Sequence, residues 1–192
     1  LISLADFTER RNWFIEYVVK AGRGAGQRQH TPFYPGEAVV ANGWDILTAA
    51  AAEYNEPGVF TTFNAYEWTA APGGANLHRN VIFRGANVPE LPMSAADIPS
   101  EEGLWQWLQA QDQQGARALA LPHNSNASKG RMFPATDSAG DPIDTDYARL
   151  RGQYERAIEM MQVKGNSEVT RQFWTADEFS DFENAPSIAK FS

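Results

Sequence analysis

Glu67 and His78 are the first residues of this sequence whose types and spacing indicate chemistry. Glu67 ends one strand-like run and His78 opens the next, with the turn residues Pro72, Gly73 and Gly74 between them. A carboxylate at the end of an apolar strand face needs a partner, because burying it unpaired is costly. The turn can bring His78 to Glu67, and a Glu–His pair at strand ends matches half of a metal site.

Two later strand ends also carry polar side chains. His123 and Asn124 follow the apolar run at residues 117–121, and the run at residues 157–164 leads into a polar cluster at residues 165–168. The carboxyl ends of strands form the functional face of parallel α/β folds. Each feature alone is more often a surface residue or a turn than part of a site, so the site hypothesis depends on the strand ends lying together.

Cationic and aromatic side chains near these strand ends are candidate substrate contacts. Arg79, Lys129 and Arg131 could hold an anionic group, since cationic side chains bind phosphate or sulfate oxygens. Trp68, beside Glu67, could line a pocket. The alternative for Lys129 is a solvated loop without a binding role.

Alternation along the chain predicts the strands that carry these residues. Five residues of the first run share one face and are mostly apolar or good strand formers, which predicts that this face points inward. They are Val59, Thr61, Phe63, Ala65 and Glu67. The order strand, helix, strand at residues 78–121 predicts a βαβ unit with parallel strands. The polar stretch at residues 124–144 is long for a loop in a compact domain, which favours a functional role.

Five helices are predicted around these strands. They cover residues 8–21, 43–54, 101–114, 145–152 and 175–182. Asn42 can cap the second helix and Ser100 the third. Thr175 and Glu178 form a capping box for the last helix.

Length and composition exclude several classes of protein. The 192 residues are enough for one domain with a sizeable core, and 43% of them are hydrophobic. The net charge of −8, without a basic run, argues against electrostatic binding of nucleic acid. No apolar run approaches the ~20 residues of a membrane span. There are no cysteines, which excludes disulfides and Cys–zinc sites.

Several motifs resemble, in order, those of one family. They are FTTF at 60–63, YEWT at 66–69, NLHRNVIFR at 76–84, LW and WL at 104–108, PHN at 122–124 and QVKGNSE at 162–168. The family is the one catalogued as domain of unknown function 3604. It is similar in turn to the PHP (polymerase and histidinol phosphatase) superfamily of metal-dependent hydrolases. The resemblance covers about residues 42–183, whereas residues 1–41 are predicted to be a helix and a loop.

The resemblance implies an α/β fold that forms part of a PHP-like distorted (β/α)₇ barrel, incomplete in this chain. PHP proteins bind two or three metal ions at the carboxyl ends of their strands. Glu67, His78 and His123 match three of the PHP ligands in order and approximate spacing. The resemblance implies that Glu67 bridges the metals and that the histidines are terminal ligands. The implied cofactors are divalent Mn, Fe or Zn.

Other PHP motifs have no counterpart in this sequence. PHP proteins carry an early His-x-His, a Thr-Asp-His and a late Asp-x-His, none of which occurs here. We therefore expect residues 1–192 to be a single partial domain from the interior of a longer protein that holds the missing ligands. The resemblance also suggests a periplasmic or secreted location.

The predicted function is hydrolysis of a small anionic ester, such as a phosphate or sulfate ester, by the intact parent protein. Arg79 and Lys164 are the predicted catalytic cations, which would stabilise the anionic centre. The predicted substrate contacts are Trp68, Asn124, Asn126, Lys129, Arg131 and Glu168. Asn124, Asn126 and Glu168 could orient either the metal ligands or the substrate. The alternative is a non-catalytic ligand-binding or interaction module, or an inactive fragment that lacks part of the metal site. Neither nucleic acid nor a membrane is an expected partner.

Overall fold

The computed structural model of the chain describes residues 6–16, 34–163, 165–168 and 175–176. The helices are α1 (Phe7–Phe14), α2 (Glu37–Tyr54), α3 (Glu101–Gln113) and α4 (Thr145–Tyr154). The strands are β1 (Asn64–Trp68), β2 (Arg79–Phe83), β3 (Ala118–Pro122), β4 (Met161–Gln162) and β5 (Gly165–Asn166). Helices and strands are mixed along the chain, as in the predicted α/β class. Within these residues the main sheet is open and does not close into a barrel.

The central strand of the main sheet is β2, with β1 and β3 on either side. Both neighbours are antiparallel to β2: Trp68 pairs with Arg79, which pairs in turn with Pro122. The predicted parallel βαβ unit is therefore wrong. The connection through α3 is long enough to return the chain in either direction, so the order strand, helix, strand does not fix the strand direction.

The carboxyl ends of β1 and β3 nevertheless lie at the same edge of the sheet. These two strands run in the same direction, because each is antiparallel to β2. The amino end of β2 lies at that edge too. Residues that follow β1 or β3 and residues that precede β2 are thus brought together, even though the sheet is antiparallel.

The inner face of the sheet is formed by the residues that alternate with the predicted inward-facing set, so that prediction is wrong. Tyr66 packs edge-on against Trp44 of α2, at a ring-centroid distance of 6.2 Å, and Trp68 is completely buried. Phe63 lies on the predicted inner face and is 62% exposed. Tyrosine and tryptophan side chains carry more apolar area than the small and charged residues that share the face of Phe63. Burying the larger area decides which face turns inward.

Helix α3 begins and ends close to its predicted limits. The Oγ atom of Ser100 accepts a hydrogen bond from the backbone N–H of Gly103, at 3.1 Å, which confirms Ser100 as the N-cap. Leu104, Trp105 and Leu108 are buried. Because α3 packs against α4, these apolar side chains form the core between the helices and the sheet.

Helix α2 begins at Glu37, earlier than predicted. Asn42 therefore lies inside the helix and does not cap it. The residues from 37 to 41 include glutamate and alanine, which favour helix strongly enough to extend α2 toward its amino end. Helix α4 is confirmed, with the side chain of Asp144 as its N-cap, and it extends to Tyr154.

Three other predicted elements are shorter in the structure or only partly described. Helix α1 spans Phe7–Phe14 and has no buried residue, and residues 17–21 of the predicted helix lie outside the described residues. The strand predicted at residues 157–164 is reduced to β4, which pairs with β5 in an antiparallel hairpin. Residues 175–176 form a turn, and the rest of the last predicted helix lies outside the described residues. Among the helices that the structure describes, none combines the length and apolar character needed to cross a bilayer.

Candidate metal centre

Glu67, His78 and His123 come together at the edge of the sheet where β1 and β3 end. The Oε1 atom of Glu67 lies 2.8 Å from Nδ1 of His78 and 3.2 Å from Nε2 of His123. One ligand atom from each of the three residues lies within 4.8 Å of the others. We call these three residues the His–His–Glu cluster.

The strand register places the cluster on one face of the sheet. His78 comes directly before β2, and His123 comes directly after β3. The backbone N–H of His123 donates to the carbonyl of His78 at 3.3 Å, which extends the pairing of these two strands by one residue. Glu67 pairs with Asn80, two residues from His78, so alternation directs the side chains of Glu67 and His78 to the same face.

The cluster is open to solvent at Glu67. The exposed fraction of the side chain is 46% for Glu67, 22% for His78 and 11% for His123. The two imidazole rings meet edge to face, with their centroids 5.6 Å apart. A ligand from solvent can therefore reach the carboxylate first, while His123 lies deeper in the protein.

A layer of hydrogen bonds holds the turn that follows His123. Asn124 has a left-handed backbone conformation, with φ 61°, and its Oδ1 atom accepts a hydrogen bond from Nε2 of Gln162 at 2.7 Å. The backbone N–H of Asn124 donates to Oε2 of Glu159 at 3.2 Å, and Gln162 donates to the same oxygen at 2.6 Å. This layer ties the end of β3 to β4 and limits the movement of His123.

Glu159 and Gln162 are supporting residues that the sequence did not indicate. Both lie in the run predicted as a strand at residues 157–164, where polar side chains interrupt apolar ones. That interruption is the available local signal, but only the fold shows that the partner is Asn124. Asn124 was predicted to orient metal ligands or substrate, and its side-chain oxygen lies in this supporting layer.

The His–His–Glu cluster offers donor atoms that could hold a divalent metal ion. Its donor set of one carboxylate oxygen and two imidazole nitrogens suits Zn, Mn or Fe. Ligand atoms bound tetrahedrally at ~2.0–2.1 Å from a metal are about 3.3 Å apart. The separations from Glu67 Oε1, 2.8 and 3.2 Å, are somewhat shorter than this value. The Nδ1 atom of His123 is buried without a hydrogen-bond partner among the described residues, so Nε2 is the nitrogen available to a ligand.

Arg79 and Trp68 lie in the core and do not reach the cluster. Both side chains are completely buried. Nε of Arg79 donates to Oε1 of Glu155 at 2.9 Å, and Nε1 of Trp68 donates to the carbonyl of Ile98 at 3.0 Å. The structure therefore corrects their predicted roles as a catalytic cation and a substrate contact. Alternation along β1 and β2 turns both side chains inward.

Glu155 is the centre of a buried charge network behind the sheet. Its side chain is 3% exposed. Its carboxylate accepts hydrogen bonds from Arg79 and Arg151, and from Nε1 of Trp105 at 2.9 Å. The network joins β2, α3 and the end of α4. It therefore anchors the amino end of β2, which is the end that carries His78.

Lys129 and Arg131 hold the turn that links β1 to β2. Nζ of Lys129 donates to the carbonyl of Gly73 at 2.9 Å, and Nη1 of Arg131 donates to the carbonyl of Pro72 at 3.4 Å. Both side chains are exposed. Their predicted role in substrate binding stays a prediction, but their contact with this turn is a second role that the sequence did not indicate.

The other predicted site residues occupy different environments. Asn126 is exposed. Glu168 is partly buried, and its Oε2 atom is buried without a hydrogen-bond partner among the described residues. Lys164, predicted to be catalytic, lies outside the described residues.

The fold and the cluster together define an α/β protein with a potential metal-binding group at one edge of an open sheet. The chain belongs to the family described as protein of unknown function (DUF3604), whose model matches residues 4–191. The match confirms the family resemblance and extends it beyond residues 42–183. Comparisons with curated proteins and with solved structures gave no match.

Proposed function

We propose that the protein is a metal-dependent hydrolase of small anionic esters, such as phosphate or sulfate esters. The observation that carries this proposal is the His–His–Glu cluster, in which three potential ligand atoms lie within 4.8 Å of one another. Glu67 lies in β1, His78 directly precedes β2 and His123 directly follows β3, so three neighbouring strands bring the ligand atoms together. Side chains that can bind a metal and are also open to solvent mark a candidate catalytic site.

The bound ion would be Mn, Fe or Zn, and it would supply a metal-activated hydroxide and polarise the ester. The chain contributes the positions of the ligands. Glu67 presents its carboxylate to solvent, where substrate would enter. The hydrogen bonds between Asn124, Glu159 and Gln162 hold the turn that positions His123.

Two exposed cationic side chains favour the proposal that the substrate is anionic. Lys129 and Arg131 each donate one hydrogen bond to the turn between β1 and β2. A lysine ammonium has three donors and an arginine guanidinium has five, so both side chains keep donors for phosphate or sulfate oxygens. Arg79 has no part in this proposal, because it is buried against Glu155.

The proposal includes a relationship to the PHP superfamily, which rests on the site residues and not on the strand directions. The strands of a (β/α) barrel are parallel, whereas β2 is antiparallel to both of its neighbours. The support for a PHP-like protein is therefore the type and order of the three ligands, together with their convergence. A site with two or three ions would need further ligands in addition to these.

The alternative is a non-catalytic ligand-binding module, and one observation favours it. The separations of 2.8 and 3.2 Å from the Glu67 carboxylate are also hydrogen-bond distances. Glu67 can therefore bridge the two imidazoles without an ion. Metal content distinguishes the two functions, since the module needs no bound metal.

Metal analysis by mass spectrometry tests the proposal. The protein is equilibrated with Mn, Fe(II) or Zn, desalted, and compared with the variants Glu67→Gln and Glu53→Gln. Glu53 is an exposed carboxylate on α2 and serves as the matched control. We expect stoichiometric metal in the wild type and in Glu53→Gln. We expect the affinity for the metal to fall by about tenfold or more in Glu67→Gln. Substitution of residues that only support the metal ligands already lowers metal affinity ~10–100-fold.

Hydrolysis of p-nitrophenyl phosphate and p-nitrophenyl sulfate is then measured with the metal-loaded proteins. Metal-dependent hydrolysis by the wild type, lost in Glu67→Gln, supports the hydrolase. Metal binding without hydrolysis of either ester favours a binding module. Absence of bound metal in the wild type contradicts the proposed metal centre.

A further inference from the structure

The edge of the sheet opposite the His–His–Glu cluster contains a second concave site. A cleft of about 480 Å³ lies where β2 ends and β3 begins. Apolar walls are provided by Phe63, Ile82 and Leu119. Small-molecule sites typically have volumes of ~300–1,000 Å³ and mostly apolar walls. The cleft therefore has the size and lining of a ligand site.

Three arginines border this cleft, namely Arg84, Arg117 and Arg156. The backbone N–H of Arg84 donates to the carbonyl of Arg117 at 2.7 Å, so these two residues occupy adjacent positions on neighbouring strands. Asp112 is the acidic residue of the lining, 3.4 Å from Nε of Arg117. The cleft is thus locally positive in a chain whose net charge is −8.

Most of the guanidinium donors at the cleft are available to a ligand. Arg84 is exposed, and its side chain makes no hydrogen bond or ion pair with any described residue. Arg156 uses its Nε atom to donate to the carbonyl of Gln153 at 3.2 Å. Arg117 is 69% exposed, and a pair this exposed contributes little stability. A ligand could therefore engage these groups without breaking a strong internal interaction.

We propose that this cleft binds a small amphipathic anion, with a sulfonate, carboxylate or phosphate group on an aromatic or aliphatic body. The guanidinium groups bind the anionic oxygens through charge-assisted hydrogen bonds. The apolar body lies against Phe63, Ile82 and Leu119 and removes their surface from water.

The cleft is separate from the His–His–Glu cluster. His78 directly precedes β2 and Arg84 directly follows it, so the whole strand of five residues lies between them. At ~3.3 Å per residue, this separation is roughly 20 Å. Binding at the cleft is therefore independent of metal binding and of the proposed hydrolase function.

Isothermal titration with 2-naphthalenesulfonate tests the proposal. The probe has a carbon–sulfur bond and no ester, so hydrolysis cannot consume it. It is titrated into the wild type, the double variant Arg84→Gln/Arg156→Gln, the variant Leu119→Glu, and Glu67→Gln. Arg149→Gln removes an exposed arginine elsewhere on the surface and is the matched control. Circular dichroism checks that each variant is folded.

We expect saturable binding of one probe per chain, weakened about tenfold in the double variant, which corresponds to two exposed charge contacts. Leu119→Glu should also weaken binding, because it places a negative charge in the cleft. Binding should be unchanged in Arg149→Gln and Glu67→Gln. Absence of saturable binding, or equal affinity in the double variant and the wild type, overturns the proposal. Equal affinity for inorganic sulfate would also overturn it, because it would show an adventitious anion only. Loss of binding in Glu67→Gln would overturn it as well, because the cleft would then depend on the cluster.

Discussion

The Oε1 atom of Glu67 is the point at which the two histidines of the candidate centre meet, since both imidazoles contact it. Without a metal, each contacting nitrogen must carry a proton to donate a hydrogen bond. A metal ion requires the same nitrogens without their protons. With the proposed function, the cluster would change from a hydrogen-bonded form to a metal-bound form without a change in the strands.

His123 tests whether the metal-bound form occurs. In His123→Ala we expect Zn²⁺ to give little or no rise in the thermal unfolding temperature, whereas it raises that of the wild type, because a ligand of the native state stabilises it by mass action. Thermal unfolding is followed by circular dichroism with and without Zn²⁺. Asn126→Ala, at an exposed position on the same loop, is the control and should respond as the wild type does. An equal rise in His123→Ala would remove His123 from the metal centre.

Glu155 should be among the residues most sensitive to substitution. Glu155→Gln leaves Arg79 buried without its carboxylate partner, and breaking a buried pair in this way costs ~3–5 kcal/mol. The free energy of unfolding is measured by urea denaturation. Asp146→Asn, at an exposed ion pair on α4, should change it by less than about 0.5 kcal/mol. Similar urea midpoints for the two variants would show that the network contributes no stability.

Residue types and strand ends predicted Glu67, His78 and His123 as a group, but they did not predict the environment of Arg79. Alternation shows that Arg79 and His78 face opposite sides of β2. It does not show which side is the core. That choice depends on Tyr66 and Trp68, whose packing partners come from distant parts of the chain.

Among the elements, α3 supports the sheet through its buried face and begins at a well-defined cap. Its N-cap could be predicted because a serine hydroxyl and the free N–H groups of a first turn are close in sequence. The direction of β3 could not be predicted in this way. It depends on pairing with β2 across residues 84–117, a contact that local sequence does not specify.

The cap of α3 gives a test at this scale. Ser100→Ala should lower the free energy of unfolding by about 1 kcal/mol, because the N–H of Gly103 loses its acceptor. Urea denaturation of the variant and the wild type measures the difference. Ser138→Ala changes an exposed serine and should have almost no effect. A destabilisation by Ser138→Ala as large as that by Ser100→Ala would argue against the capping contribution.

The whole molecule combines an acidic surface with tyrosines that are kept neutral by burial. Burial raises the pKa of Tyr66 well above its ordinary value of 10.0. Burial also raises the pKa of Tyr147 and of Tyr154 to about 12. These tyrosines therefore ionise more readily in the unfolded chain than in the folded one.

Stability should consequently fall at alkaline pH. Because the pKa of these tyrosines is raised in the folded state, their contribution to the free energy of unfolding is fully present below the unfolded pKa of about 10. It is lost as pH rises from there toward 12. We expect these buried tyrosines to ionise, as followed by absorbance at 295 nm, in the same pH range in which the far-ultraviolet circular dichroism is lost. In Tyr66→Phe the loss of circular dichroism should move to higher pH. Complete ionisation of the tyrosines with the circular dichroism intact would contradict this account.

The distribution of the three candidate ligands over three strands has a consequence for folding errors. If β2 slipped by one residue against β1, alternation would send His78 to the opposite face of the sheet, away from Glu67. A slip of β3 would remove His123 in the same way. Misaligned sheets would thus lack the complete cluster, and a metal ion would stabilise only chains in which both strand pairings are correct. Metal binding would then act as a check on strand alignment, in addition to any part in catalysis.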